Sequence, residues 1–159
     1  MTTPPTQPDT TMTAIEVQAD ASELSSTCPA IVLLTHAPLG TAYLEVARHV
    51  WCCRHERLAA FDMPGDMPNG DAEAAVHAVI SRLGRAQVLL LVDVEGASPH
   101  RVAQLVCSAL GRDARIVTGL NPPMLLSTLP REDVDVRGLA ALAAHRARRG
   151  VQIMPRGCE

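Results

Sequence analysis

"IVLLTHAPLG", residues 31–40, is the stretch on which the reading of the fold turns. Ile31 to Leu34 is an unbroken branched apolar run, the pattern of a short strand covered on both faces. Thr35 and His36 follow, and Ala37-Pro38-Leu39-Gly40 turns the chain. Beyond the turn Leu39, Val46, Ala47, Val50 and Trp51 recur at helical spacing. A doubly covered strand that feeds a helix is the opening of a parallel β-α-β unit. A titratable imidazole at that junction needs a chemical reason.

The same rhythm runs through the rest of the chain. "RLAAFDM" (57–63) reads as a second strand, followed by the turn-rich loop "PGDMPNG" (64–70). A helix spans 71–83 with Ala75, Val76, Val79, Ile80 and Leu83 as its inner face, and Gly84 caps it. "QVLLLVD" (87–93) is the strongest strand pattern. Ser98 then reads as an N-cap and Pro99 as the first residue of a helix ending at Leu110. "ARIVTG" (114–119) is a fourth strand, and Asn121-Pro122-Pro123 opens a short helix through Leu129. The last helix spans 133–149, its basic end at Arg146, Arg148 and Arg149 complementing the dipole, and Gly150 closes it. "VQIM" (151–154) is a terminal strand too short to stand alone, so its edge needs a partner, which exchange within a dimer supplies. The fold class is α/β, with three layers. It has a mainly parallel four-stranded sheet, helices on both faces, and a C-terminal strand exchanged in a dimer.

Composition narrows the function. The 159 residues suit one domain, and 47% hydrophobic content with 2% aromatic content predicts a core of Val, Leu, Ile and Ala. Residues 1–28 are rich in Thr, Pro, Ser and acid and read as a disordered leader; "AIEVQ" within them has some strand character. The domain is placed at 29–155 and a tail at 156–159. A net charge of −3 gives no electrostatic case for nucleic acid or an anionic membrane. No apolar run approaches the ~18 residues of a membrane span, and no signal peptide is visible. Every one of the 14 cationic residues is Arg, which excludes lysine nucleophiles and phosphate-gripping lysines. Five cysteines, odd in number and without a C-x-x-C pair, point to reduced thiols in a cytoplasmic protein. "WCCRHER" (51–57) gathers Cys52, Cys53 and His55 but lacks structural-zinc spacing, so these read as idle thiols and no metal is expected.

Alternation of strand and helix gives the imidazole its reason. In open α/β sheets ligands bind beyond the carboxyl ends of the strands, where strand order reverses. His36 lies past the first strand and Asp93 past the third. If successive helices cross opposite faces, those strands are neighbours and the two side chains meet. Ser98 and the N–H groups opening the next helix point to the same place and suit an anion such as phosphate. An imidazole with one nitrogen fixed by a carboxylate offers the other lone pair as a nucleophile, while helix-end donors stabilise incoming oxyanions. This is a phosphohistidine site in outline. A histidine after a strand, taken alone, is a loop residue, and Ser98 is explained by capping alone; the two roles are compatible. A hydrolase elbow fails because His100 stands where G-x-S-x-G needs its last glycine. An aspartyl phosphate on Asp93 fails for want of an acidic pair and a lysine.

"IVLLTHAPLGTAYLEVA", "FDMPGD", "VLLLVDVEGASPHRVAQLV" and "RIVTGLNPPMLLSTL" come in the order and at the spacing of a known family. Between Ala30 and Leu129 the chain resembles the IIA component of the mannose family of the bacterial phosphoenolpyruvate:sugar phosphotransferase system. The resemblance implies that His36 accepts a phosphoryl group on Nε2 from the histidine-containing phosphocarrier protein and passes it to a IIB domain for sugar uptake. It implies that Asp93 holds the histidine and that Ser98 lies near the phosphoryl oxygens. Thr35, Gly65, Gly96, Ala97 and Pro99 are then expected to bind phosphate or face a partner. A homodimer follows too, with membrane contact only through a permease complex and no cofactor. The family often has Gly after its histidine, where this chain has Ala37, and Trp-Gly-Gly-Ser-Pro where Glu95-Gly96-Ala97-Ser98-Pro99 stands here. The other reading is a regulatory IIA-like protein whose phosphorylation state controls partner binding without sugar transport.

Overall fold

In the computed structural model residues 28–51 and 56–154 are described. The elements are β1 (Ala30–His36), α1 (Leu39–Trp51), β2 (Leu58–Met63), α2 (Asn69–Leu83), β3 (Val88–Val92), α3 (Ser98–Leu110), β4 (Ala114–Thr118), α4 (Pro122–Thr128) and α5 (Val136–Arg149). The expected leader, the "AIEVQ" strand and the Cys52, Cys53 and His55 cluster lie outside the described residues.

The sheet is all parallel in the order β2-β1-β3-β4. Its central strands are apolar without interruption because both faces are covered. Ala30, Val32 and Leu34 of β1 and Val88, Leu90 and Val92 of β3 enter one core with α2 and α3. Ile31, Leu33, Leu89 and Leu91 enter the other with α1, α4 and α5. Helix α1 therefore leaves β1 toward β2 on one face, and α3 leaves β3 toward β4 on the other. Strand order reverses between β1 and β3, and in open α/β sheets ligands bind at the carboxyl ends beside such a switch point.

Four sequence expectations need correction. The buried face of α1 is Gly40, Leu44 and Ala47, whereas Leu39, Val46, Val50 and Trp51 are exposed. Ser98 does not cap α3: the helix begins at Ser98 after an extended Ala97, and no side chain caps it. Residues 151–154 form no strand in the single chain, and Val151, Ile153 and Met154 are exposed. Helix α5 also starts later than expected, where the Asp135 carboxylate accepts from the Gly138 N–H at 2.8 Å.

Among the described residues no helix is long and apolar enough to cross a membrane. Cys28 is buried and Cys107 half-buried, and both are free. Burial pushes the Cys107 thiol up to about 11, against a smaller opposing pull from Arg115, so it is inert at neutral pH.

Candidate functional site

His36 ends β1 and Asp93 follows β3, and the pairing of Leu34 with Val92 sets the two chain ends side by side. Asp93 Oδ2 lies 2.8 Å from His36 Nδ1 and also accepts from the His36 backbone N–H at 2.9 Å. Its other oxygen accepts from the Val94 N–H at 2.8 Å. Burial alone would raise this carboxyl. The hydrogen bonds from the His36 amide, the His36 ring and the Val94 amide outweigh burial and hold it below the usual carboxylate range. An ionised carboxylate can only accept, so Nδ1 carries the proton of the shared bond. In the neutral ring the lone pair is then on Nε2. The His36 side chain is 49% exposed and that of Asp93 only 6%, so the ring is open to solvent above a sheltered carboxylate.

A second carboxylate organises the other side of the turn. Asp62, in β2, accepts from the Gly40 N–H at 2.6 Å and the Thr35 hydroxyl at 2.9 Å through Oδ1. Through Oδ2 it accepts from the Thr41 N–H at 3.0 Å and the Thr41 hydroxyl at 2.5 Å. Two first-turn amides of α1, Gly40 and Thr41, are thus satisfied by a strand residue, with a carboxylate at the positive end of the helix. The close approach depends on Gly40. A Cβ there would lie 2.8 Å from Asp62 Oδ1, 2.9 Å from Thr35 Oγ1 and 3.0 Å from Ala60 Cβ. Gly40→Ala should therefore destabilise the fold by about 1–3 kcal/mol, the scale of overpacking, read as a lower urea midpoint at unchanged slope.

The expected site residues divide into two groups. His36, Gly65, Gly96 and Ser98 are exposed, Ala97 is half-buried, and Asp93 lies beneath His36. Gly65 sits in the turn after Met63, which pairs in register with His36, so the 64–70 loop flanks the histidine. Two expectations are corrected. Thr35 is fully buried with its hydroxyl on Asp62, and Pro99 is buried on the core side of α3. Neither presents a surface to phosphate or a partner.

Two polar groups on the elements around the site went unread in the sequence. One is Asp62, whose signal was its place at the carboxyl end of the second strand. The other is Tyr43, whose hydroxyl donates to the Leu120 carbonyl at 3.3 Å. Burial raises the Tyr43 phenol, and the Asp93 charge raises it further. Among the described residues no cluster of His, Cys, Asp or Glu is arranged to hold a metal ion.

Sheet order and site together define a class: an open parallel α/β domain with a carboxylate-held histidine at its switch point. Residues 30–143 match the EIIA-man family model, the PTS (phosphotransferase system) fructose IIA component, and the chain belongs to that family. No curated protein sequence matches the chain. Among solved structures, it is similar to a mannose/sorbose-specific IIA subunit of the phosphotransferase system from Enterococcus faecalis, at 21% identity and TM-score 0.72, covering 80% of this chain and 96% of that one. A PTS IIA protein associated with a fucose utilization operon of Streptococcus pneumoniae aligns at 20% identity and TM-score 0.68, over 82% and 96% of the two chains. A sigma-54 interaction domain protein from Enterococcus faecalis shares the fold at 15% identity and TM-score 0.62, over 79% and 95%.

Proposed function

We propose that the protein is a phosphoryl carrier of the sugar phosphotransferase system. It takes a phosphoryl group on His36 from the histidine-containing phosphocarrier protein and gives it to a IIB acceptor. Membership of the IIA family supports a place in this phosphotransfer chain. The observation that carries the role of His36 is the 2.8 Å hydrogen bond that Nδ1 donates to Asp93 Oδ2. It leaves Nε2 as the nucleophile on an exposed ring. In the forward step the Nε2 lone pair forms an N–P bond as the donor's N–P bond breaks, and that electron pair returns to the donor's ring nitrogen. The proton stays on Nδ1, and Asp93 stabilises the positive charge that develops on the ring. The amino end of α3 and the Ser98 hydroxyl face the oxyanions. No cofactor takes part.

Incubation with phosphoenolpyruvate, the first enzyme of the system and its phosphocarrier tests this reading. The intact mass should rise by one phosphoryl group, labile in acid and stable in base. A label stable in acid would place it on a hydroxyl and defeat the assignment. In the same reading the protein works as a cytoplasmic homodimer, reaches the membrane only through a permease complex, and binds no nucleic acid. The exposed Val151, Ile153 and Met154 support exchange of the 151–154 segment between copies. The full chain should sediment as a dimer at micromolar concentration, and a chain ending at Gly150 as a monomer. A regulatory role is the second reading, favoured by the fold shared with a sigma-54 interaction domain protein. In that case the label appears on His36, but no IIB acceptor discharges it.

A further inference from the structure

The entry to α3 is tied by a second histidine. The Gly96 N–H donates to His100 Nδ1 at 2.9 Å. His100 is the third residue of α3, a position from which Glu or Gln commonly reaches back to an amide ahead of the helix in a capping box. Here a ring does so. Gly96 has φ 81°, a left-handed conformation that strains any residue with a Cβ. Val94, Glu95 and Gly96 are all exposed, so packing does little to hold them. The segment is anchored at one end by the Val94 N–H on Asp93 and at the other by the first helical bond, Arg101 N–H to Ala97 O at 3.1 Å. The Gly96–His100 bond lies between these anchors.

That bond also fixes the chemistry of the ring. Nδ1 uses its lone pair to accept, so the neutral His100 carries its proton on Nε2. His36 is the reverse, with Nδ1 donating to Asp93 and Nε2 bare. A carboxylate and a backbone amide thus set opposite tautomers in the two imidazoles.

We propose that His100 is a positioning residue for phosphoryl transfer: it pins the Gly96 amide and so fixes Val94–Ala97, keeping Ser98 and the amino end of α3 in register with His36. This rests on the phosphoryl-carrier reading above. The same bond denies His100 a nucleophilic lone pair, which keeps it from competing for the phosphoryl group.

The test compares two substitutions. His100→Asn sets an oxygen where the ring has Nδ1, and His100→Phe offers no acceptor. At saturating phosphorylated carrier protein, the rate of label transfer should fall roughly ten- to a hundredfold in the Phe variant, the cost of a small misplacement. Asn should recover most of it. The carrier concentration giving half-maximal rate should not move, since the partner surface is untouched. A Phe variant as fast as the parent, or an Asn variant as slow as Phe, overturns the proposal. Hydrogen exchange at the Gly96 amide is the readout independent of transfer. Protection should be lost in the Phe variant and kept in the Asn variant; equal protection in parent and Phe overturns the pinning. If the parent protein takes up no phosphoryl group, the functional reading has failed, and the exchange measurement still decides the fate of the Gly96–His100 latch.

Discussion

His36→Ala should take up no phosphoryl group, and Asp93→Asn should take it up more slowly by roughly two to four powers of ten, with both proteins folded. The first result follows from the lone pair on Nε2, which no neighbouring side chain replaces. The second follows from what the carboxylate does. An ionised Asp93 only accepts, so it enforces the proton on Nδ1. An amide can donate instead, which puts the proton on Nε2 and removes the nucleophile. The amide also gives no charge to stabilise the imidazolium as the N–P bond forms. Binding of the donor protein should be little altered, so the loss belongs in the rate at saturation. Rapid-quench transfer from the labelled carrier measures it. The variant carries a stability signature as well. Hydrogen bonding holds Asp93 below the usual carboxylate range in the folded protein. The stability it contributes is therefore complete above the unfolded pKa of about 3.9 and is lost as pH falls through the lower folded value. Asp93→Asn should lack that part of the acid-side loss, seen as a shallower fall in urea midpoint below about pH 4.

The strands were legible because burial on both faces removes the need for polar alternation, and "IVLLT" and "VLLLV" carry that signature openly. Strand order followed from helices on opposite faces, and the meeting of His36 with Asp93 followed from strand order. The face of α1 was not legible. Leu39, Val46, Val50 and Trp51 look like an inner face, yet what sits against the sheet is set by how closely the backbone can approach. Gly40 against Asp62 and Ala60 decides that, and it rotates Leu44 and Ala47 inward. Asp62 escaped notice because a carboxylate that caps a helix from a neighbouring strand has no local spacing to betray it. Thr35 and Pro99 were misplaced for a related reason. Adjacency to site residues along the chain says nothing about side, and in a strand or a helix entry the next side chain points into the core. The place of 151–154 was not legible because its alternating apolar pattern reads as a strand, whereas the segment leaves α5 exposed and outside the sheet of the single chain.

Arg57→Met should cost about 3–5 kcal/mol of stability, the scale for removing one partner of a buried charged network, while leaving phosphoryl uptake per folded molecule unchanged. Arg57 is 4% exposed just ahead of β2, at the amino end of the sheet and away from His36. Its Nη1 donates to the Pro29 carbonyl at 2.9 Å, beside the start of β1. Its Nη2 donates to the carbonyls of Thr128 and Leu129 at 2.8 Å each and of Arg131 at 3.1 Å. Those carbonyls close α4, where a helix leaves acceptors unsatisfied and its dipole is negative. The side chain thus joins β1 to the end of α4 with no carboxylate in ion-pair contact among the described residues. Burial lowers its pKa, against the pull of Cys28 and Glu132, yet a guanidinium keeps its proton. Two effects oppose each other in the substitution. Methionine recovers the desolvation cost of the cation, including that of the buried Nε, which has no partner. Against that, four carbonyls lose charge-assisted bonds worth about 1.5–3 kcal/mol each, and a thioether cannot replace them. The second effect wins. Arg57→Lys should fall between, because one ammonium cannot span both β1 and α4 as the planar fork does. Urea unfolding followed by circular dichroism reads the stability. Mass analysis of phosphorylated protein below the midpoint reads the uptake. A Met variant with parental stability would show that the desolvation cost had matched all four bonds. A stable fold that no longer accepts phosphate would mean that the amino end of the sheet governs the carboxyl end.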